Sequence, residues 1–296
     1  MISFNPFNRT FEECRVYTKQ YAKSFYFSSF MLPKEKRYAA YAVYAFCRYA
    51  DNVVDLSESP EETKKHLAKL TLDLERIYDD SFSKGKSCAF CETIKKYKIP
   101  KKYFIELIEG VEMDNTIKRF NSNEDLDLYC YKVASVVGII MCHVFGYSDE
   151  EVFEYAESLG KAMQITNILR DIKEDFEIGR VYIPQLMLQK FNYTEQDIKD
   201  NLVNENFKKL IKYYIYEARY LYNKAYYGIP YLTNDGSSGT VLLMLKVYSG
   251  ILDKIELQDY DIYTSRVYVS STEKVLIYAK GLFETQRTEM TDPIIF

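Results

Sequence analysis

Residues 38–55 read YAAYAVYAFCRYADNVVD, a helical pattern that is apolar almost all round. A helix of this kind is normally buried inside a protein. One face nevertheless carries polar side chains, spaced at i, i+4, i+7 and i+11: Tyr44, Arg48, Asp51 and Asp55. Side chains at these spacings lie above one another on a helix, so the segment predicts a buried helix with a polar ladder.

A second ladder occurs in residues 160–175, GKAMQITNILRDIKED. Its polar positions again share one helical face: Gln164, Asn167, Asp171 and Asp175. Isolated carboxylates in a helical core cost too much free energy to persist without partners. Two such ladders indicate a shared, multiply charged cationic partner, and a divalent metal is the simplest candidate.

The spacing within each ladder suits magnesium. A helix rises about 1.5 Å per residue, so the two aspartates of each ladder stand about 6 Å apart. Mg²⁺ binds through one or two carboxylates and leaves its other positions to water and phosphate, and Mn²⁺ accepts the same ligands. Arg48 and Arg170 add donors suited to phosphate oxygens. With 29 Tyr and 18 Phe in the chain, these features predict a cavity for an amphiphile with a phosphorylated head and a hydrocarbon tail.

The rest of the chain reads as one helix after another. Alternating patterns are scarce, and only residues 263–271 fit a short extended segment. No Gly/Ser-rich or Pro-rich linker divides the 296 residues, so we expect one all-α domain, residues 1–296, around a central cavity. The predicted helical segments are 10–21, 34–55, 60–78, 101–114, 123–145, 148–174, 194–226, 239–257 and 272–286.

Composition excludes several classes of protein. The net charge of −4 has both signs interspersed, which leaves no basic stripe for nucleic acid. The first nine residues lack a secretion signal, residues 133–147 fall short of the ~18 needed for a membrane span, and residues 290–296 do not form a tail anchor. We therefore expect a cytoplasmic protein without an integral membrane segment. Cys88 and Cys91 form a lone CxxC, which favours reduced thiols over a zinc site.

The chain resembles the squalene/phytoene synthase family of head-to-head prenyl-diphosphate condensing enzymes. The resemblance covers about residues 15–280 and rests on linked motifs. These are KSFY at 23–26, MLP at 31–33, YAVYAFCR at 41–48, DNVVD at 51–55, EGVEMD at 109–114, YCYKVASVVG at 129–138, QITNILRDIKED at 164–175, GRVYIP at 179–184, YDIY at 260–263 and RVYV at 266–269.

The resemblance implies an isoprenoid-synthase α fold and two allylic prenyl diphosphates, farnesyl or geranylgeranyl, bound through Mg²⁺. Loss of diphosphate from one substrate gives an allylic cation, which the double bond of the other attacks. Ring closure with loss of a proton gives a cyclopropylcarbinyl diphosphate, which ionises again and rearranges to a 1-1′-linked chain. Proton loss then gives phytoene or dehydrosqualene, whereas hydride from NADPH gives squalene. Such an insoluble product implies at most a loose association with the bilayer.

The family's residue roles transfer to matching positions. The implied metal ligands, acting directly or through water, are Asp51, Asp55, Asn167, Asp171 and Asp175. The implied diphosphate contacts are Ser24, Arg48, Gln164, Arg170, Arg180 and Tyr182. The tyrosines implied to line the substrate chain or assist ionisation are Tyr44, Tyr129 and Tyr248.

Three positions bear on the product. Asn52 replaces an acidic residue of many relatives, which predicts weaker binding of one metal. Ser135-Val136 replaces the usual glycine-threonine pair, which predicts a narrower approach to the substrate. Ser29 lies one turn after Phe25 on an early helix at the hydrocarbon end. Its small side chain favours geranylgeranyl diphosphate and a C40 product, phytoene, over a C30 product.

Alternatives remain open. On the same fold, the chain would act as a presqualene diphosphate synthase, a head-to-tail elongating enzyme or a terpene cyclase, although the head-to-head motifs argue against the last two. A non-catalytic assembly protein of the same family is a further alternative. Such proteins tend to lose metal ligands, whereas this chain keeps all four aspartates of its two DxxxD motifs. A zinc-binding module at the CxxC is the third.

Overall fold

The computed structural model describes residues 4–79 and 88–285. Within these ranges the chain is helical, and the only β-type pairing consists of two isolated bridges. The helices are α1 (Phe11–Tyr21), α2 (Lys23–Ser28), α3 (Lys34–Asp55), α4 (Pro60–Tyr78), α5 (Ala89–Lys96), α6 (Lys101–Thr116), α7 (Asn123–Cys130), α8 (Val136–Phe145), α9 (Val152–Arg170), α10 (Ile172–Glu177), α11 (Gln185–Lys190), α12 (Glu195–Lys199), α13 (Glu205–Tyr226), α14 (Ser237–Leu257) and α15 (Ser271–Thr285).

The all-α class is confirmed, and α3 and α4 begin and end at the predicted residues. The segment 148–174 is instead broken at Asp171, a poor helix former that leaves the helical region with φ −109° and ψ 17°. Residues 263–265 form a bend, in which the Asp261 carboxylate accepts the backbone N–H groups of Tyr263 and Thr264, and residues 266–270 belong to no strand. The predicted ends 286 and 290–296 lie outside the described residues.

Two hydrophobic clusters form the interior. The first cluster consists mainly of residues from the N-terminal half of the chain, as far as α8. The second contains residues from the C-terminal half of α9 and from α13 and α14. The long helix α3 belongs to the first cluster, and its small residues, such as Ala40, Ala42 and Ala45, are fully buried. A cavity lies between the clusters, because its wall takes residues from both. The polar faces of α3 and α9 therefore meet inside the molecule.

The helix run from α7 to α8 contains one widened, π-helical turn, Tyr131–Ser135. Glycines on both neighbouring helices accommodate this turn. A Cβ at Gly110 of α6 would lie 2.6 Å from Lys132 Cβ, and a Cβ at Gly160 of α9 would lie 2.5 Å from Ser135 Cα. The Ser135 hydroxyl donates to the Glu157 carbonyl oxygen of α9 at 2.8 Å. Ser135 thus joins two helices and does not line the cavity, so the expectation that it narrows the substrate's approach is wrong.

The CxxC segment also differs from expectation. The structure joins Cys88 and Cys91 in a disulfide at the start of α5, so the expectation of reduced thiols is wrong for this pair. Both sulfurs are used in that bond, which also removes the zinc-binding alternative at the CxxC. The other described cysteines are free and buried: Cys14, Cys47, Cys130 and Cys142.

One helical run among the described residues, Asn123–Phe145, is long and apolar enough to cross a membrane, with a mean hydropathy of 1.7. The apolar stretch predicted from the sequence, residues 133–147, is shorter than this run. In the structure, 56% of the most apolar 18-residue part of this run is buried inside the protein. Cys130, Val136 and Ile140 are fully buried, so the run is also a core element of the fold.

The contact at Gly160 gives a test of this packing. Substituting Gly160→Ala forces a Cβ against the backbone of the π-helical turn, where no flexible side chain can yield. We expect the free energy of unfolding to fall by about 2 kcal/mol, measured by chemical denaturation. Gly250→Ala is the matched control, since its Cβ would lie 3.4 Å from Val269 Cγ2, an ordinary contact in mid-helix. It should leave stability unchanged or raise it by about 0.5 kcal/mol. Equal losses in both variants would contradict the close approach.

Candidate active site

Helix α3 presents the first ladder, and the second begins on α9 and continues into α10. Asp171 lies at the junction of α9 and α10, and its carbonyl oxygen accepts the backbone N–H of Asp175 at 2.9 Å. The two aspartates of this motif therefore remain one turn apart despite the break.

Both ladders lie near Arg180 and Asp114. Arg180, in the loop after α10, donates to Asp55 of α3 at 3.3 Å. Burial raises the pKa of Asp51 to about 7, and the nearby carboxylates of Asp55 and Asp114 add to that rise. Burial likewise raises the pKa of Asp175 to about 7, with Asp171 and Asp114 adding to it and Arg180 opposing it. Asp114 therefore acts on the pKa of a carboxylate in each ladder.

Asp114, at the end of α6, is a site residue that the ladder spacing did not identify. Its Oδ1 accepts the hydroxyl of Tyr182 at 2.7 Å, and its Oδ2 accepts that of Tyr129 at 3.1 Å. The two tyrosine rings stack on each other with centroids 5.1 Å apart. Asp114 thus fixes both hydroxyls predicted to serve the substrate. The only sequence signal for it was its place at the end of the EGVEMD motif.

Asp171 is held by two arginines. The Arg170 guanidinium donates to its Oδ1 at 2.8 Å, and Arg266 donates to the same oxygen at 3.2 Å. Arg266 comes from the loop before α15 and is 61% exposed at its side chain, so it reaches the site from the surface. The RVYV motif contained Arg266, but the spacing of the ladders gave it no role.

The donor set fits a metal that shares its ligands with a substrate. Among the described residues, no group of three or more His, Cys, Asp or Glu side chains lies close enough to hold a metal ion alone. Mg²⁺ requires only one or two carboxylates and completes its shell with water and phosphate. Each ladder supplies the one or two carboxylates that Mg²⁺ requires, and in each ladder one of them, Asp51 or Asp175, has a raised pKa.

A cavity of about 280 Å³ leads away from the ladders. Most of its lining is apolar, as expected for a hydrocarbon tail. Four of the predicted site residues form its polar part: Tyr44, Gln164, Asn167 and Tyr248. The nearby Asp171 carboxylate raises the pKa of Tyr248 further beyond the effect of burial, which joins the cavity to the second ladder. Ser24 lies on α2, one residue before Phe25, which lines the cavity.

Ser29 does not line this cavity. Helix α2 ends at Ser28 and a 3-10 turn follows, which rotates Ser29 away from the face of Phe25. The Ser29 side chain is fully buried, donates to the Tyr26 carbonyl oxygen at 2.7 Å and pairs with the Tyr41 hydroxyl at 2.7 Å. The expectation that Ser29 leaves room in the cavity wall is therefore wrong.

Asn52 faces α1. Its side-chain amide donates to the Tyr17 hydroxyl at 2.9 Å and so ties α1 to α3 next to the first ladder. The weaker binding of one metal at Asn52 stays a prediction.

The sequence model of the squalene/phytoene synthase family matches residues 18–273. The chain belongs to this family. It is 36% identical over 278 residues to a 15-cis-phytoene synthase of Synechocystis sp., covering 90% of this chain and 82% of that protein. It is 33% identical to a chloroplastic phytoene synthase of Daucus carota, covering 96% of this chain and 73% of that protein.

Solved structures agree with the fold. A dehydrosqualene synthase in complex with ligand matches with a TM-score of 0.86 and 26% identity, over 94% of this chain and 97% of that chain. A squalene synthase from Alicyclobacillus acidocaldarius matches with a TM-score of 0.78 and 26% identity, over 85% of this chain and 94% of that chain. The isoprenoid-synthase fold is confirmed, and this family member is an enzyme of the prenyltransferase type.

The raised pKa values predict how stability depends on pH. Between about pH 4 and pH 7, the folded chain holds protons on Asp51 and Asp175 that the unfolded chain has lost. These two groups therefore lower the free energy of unfolding as the pH rises through this range. In metal-free buffer, the stability gained by the Asp51→Asn and Asp175→Asn double variant over the wild type should be larger at about pH 8 than at about pH 5.

The measurement is the thermal unfolding midpoint of each protein across that pH range. The matched control is Glu58→Gln, an exposed carboxylate on the loop before α4. The pH-dependent gain of the double variant should exceed any difference between Glu58→Gln and the wild type. A double variant whose advantage stays constant would show that the aspartates are not held with raised pKa values.

Proposed function

We propose that this chain condenses two allylic prenyl diphosphates head to head, through a cyclopropylcarbinyl diphosphate, to a C40 isoprenoid, phytoene, with Mg²⁺ as its metal. The observation that carries the proposal is the pair of facing aspartate ladders at the polar end of an apolar cavity. A non-catalytic assembly protein has no need of the partly buried carboxylates of Asp51 and Asp175, which lower stability when no cation offsets them.

The choice of product rests on the relatives. Proteins named phytoene synthase are 32–36% identical to this chain over most of its length, for example those of Synechocystis sp. and Arabidopsis thaliana. Phytoene formation ends by proton loss, so we propose no role for NADPH. A C30 product from farnesyl diphosphate is the second candidate, supported by the likeness to the dehydrosqualene synthase structure.

In the proposed mechanism, the departing diphosphate lies at the end of the cavity that adjoins the two aspartate ladders. Asp51, Asp55, Asp171 and Asp175, with the Asn167 amide oxygen, would hold Mg²⁺ directly or through water. When bound, the metal would offset the negative charge that develops on the leaving diphosphate. Three arginines at this end, Arg48, Arg170 and Arg180, would donate to the same oxygens, where charge is greatest in the transition state. The roles of Ser24, Gln164 and Tyr182 as further diphosphate contacts are part of the proposal.

The cavity would protect the allylic cation. Tyr44, Phe25 and Tyr248 line the cavity, and aromatic faces stabilise cations without attacking them. The Asp114 carboxylate would hold the Tyr129 hydroxyl at a fixed place beside the leaving group. The apolar wall beyond would exclude water, which would otherwise capture the cation as an alcohol.

We also propose that residues 1–296 act as a single domain. We place the enzyme in the cytoplasm with at most a loose association with the bilayer, where a hydrocarbon product would be released. The proposal excludes nucleic acid as a partner, because the charge is negative and interspersed.

Purified protein supplied with geranylgeranyl diphosphate and Mg²⁺ should form phytoene, identified by chromatography and mass analysis. Parallel incubations contain farnesyl diphosphate with and without NADPH. Phytoene formation without NADPH supports the proposal, and formation of C30 products alone would replace it by the second candidate. If a presqualene-type diphosphate is the final product, the enzyme performs only the first step, the formation of the cyclopropylcarbinyl diphosphate.

Loss of a ladder aspartate should abolish turnover. Asp51→Ala and Asp171→Ala should each lower the rate by orders of magnitude, about 10³-fold, because each removes charge on which diphosphate departure depends. Chelator should abolish wild-type activity, and added Mg²⁺ should restore it.

The matched control is Asp253→Ala, which removes an exposed partner of Arg219 away from the cavity. Circular dichroism checks that each variant keeps its helical content. Full activity of either ladder variant would exclude that aspartate as a metal ligand.

A further inference from the structure

The cavity follows one face of α9 over nearly the whole length of that helix. The α9 residues in its wall recur every three or four positions: Val152, Tyr155, Ala156, Leu159, Gly160, Met163, Gln164 and Asn167. From Val152 to Asn167 the helix rises about 22 Å. Asn167 and Gln164 mark the ladder end, so Tyr155 and Val152 mark the opposite end, where the tip of a bound chain would lie.

Tyr155 separates this far end from the solvent. Its ring is part of the cavity wall and is half-buried, whereas its hydroxyl donates to the exposed carboxylate of Glu151 at 2.9 Å. The other oxygen of the same carboxylate accepts the hydroxyl of Tyr231 at 2.7 Å. The two tyrosine rings lie with centroids 5.6 Å apart. Glu151 therefore holds both rings in one arrangement across the end of the cavity.

The turn after α13 is built to meet Tyr155. A Cβ at Gly228 would lie 2.2 Å from the Tyr155 Cβ, so only glycine lets the turn approach this closely. The next residue, Ile229, is 5% exposed and lines the cavity, and Leu232 lines it a few residues later. The far end is thus a packed wall, with Tyr155 as its largest side chain on α9.

We propose that Tyr155 sets the maximum chain length that the cavity accepts, with Glu151 and Tyr231 as positioning residues that hold its ring in place. The inference rests on the proposed function, because it takes the bound molecule to be a linear prenyl diphosphate. The tyrosine atoms beyond Cβ outnumber the carbons of one isoprene unit, so their removal opens space for a longer chain. The wall does not yield by itself, because the ring is fixed both by its hydrogen bond and by packing against the turn.

The test compares chain-length preference in Tyr155→Ala and Tyr155→Leu with that of the wild type. Binding of unreactive, saturated analogues of farnesyl, geranylgeranyl and geranylfarnesyl diphosphate is measured by calorimetry with Mg²⁺ present. We expect the affinity ratio of the geranylfarnesyl to the geranylgeranyl analogue to rise at least about tenfold in both variants. Turnover of the natural diphosphates is measured in the same preparations, with products sized by mass analysis.

Two controls isolate the ring. Tyr155→Phe keeps the ring and its packing against the turn but loses the hydrogen bond to Glu151, so its affinity ratio should lie between those of the wild type and Tyr155→Ala. Tyr220→Ala removes an exposed tyrosine of α13 that does not line the cavity and should change nothing. If the enlarging variants do not fold, Ile229→Phe is the substitute test, because it adds bulk next to Tyr155 at the same end. It should shift the preference toward the farnesyl analogue, and an unchanged preference would overturn the inference.

The outcomes separate the two proposals. If folded Tyr155→Ala and Tyr155→Leu keep the wild-type affinity ratio, the length limit lies elsewhere and the inference is overturned. If the wild type binds the analogues but forms no condensation product, the proposed reaction fails while the binding ratios still decide the role of Tyr155.

Discussion

The structure depends on carboxylates that face each other across a partly dry space. Burial raises the pKa of Asp51 and of Asp175 to about 7, and each is raised further by neighbouring aspartates. The positive charge that the protein supplies, from arginines such as Arg180 and Arg170, offsets this repulsion only in part. The polar end is therefore arranged to gain stability from added cations, which is what a site for metal and diphosphate requires.

Helix α9 connects this charged end to the hydrocarbon end. A single face of it carries Asn167 and Gln164 near the ladders and Tyr155 about 18 Å away. Because one rigid element holds both ends, the distance from the reacting carbon to the end of the chain is fixed by the helix itself. The close packing of Gly160 against the π-helical turn keeps that helix in place.

The three positions expected to bear on the product act mainly through packing between helices. Asn52 binds Tyr17 of α1, Ser135 binds a carbonyl oxygen of α9, and Ser29 pairs with Tyr41. None of these three residues lines the cavity. A polar or small residue next to a functional motif thus serves here to join helices, and its effect on a substrate would be indirect.

The sequence by itself determined the all-α class, the bounds of α3 and α4, and the two carboxylate ladders, because helical periodicity and the cost of buried charge are local properties of the chain. It did not reveal Asp114 as the residue that acts on both ladders, the break at Asp171, the disulfide at Cys88, or Tyr155 as the end of the cavity. Each of these depends on which helices meet and at what distance. Only the tertiary structure sets those contacts, since the same residues in an isolated helix would face water.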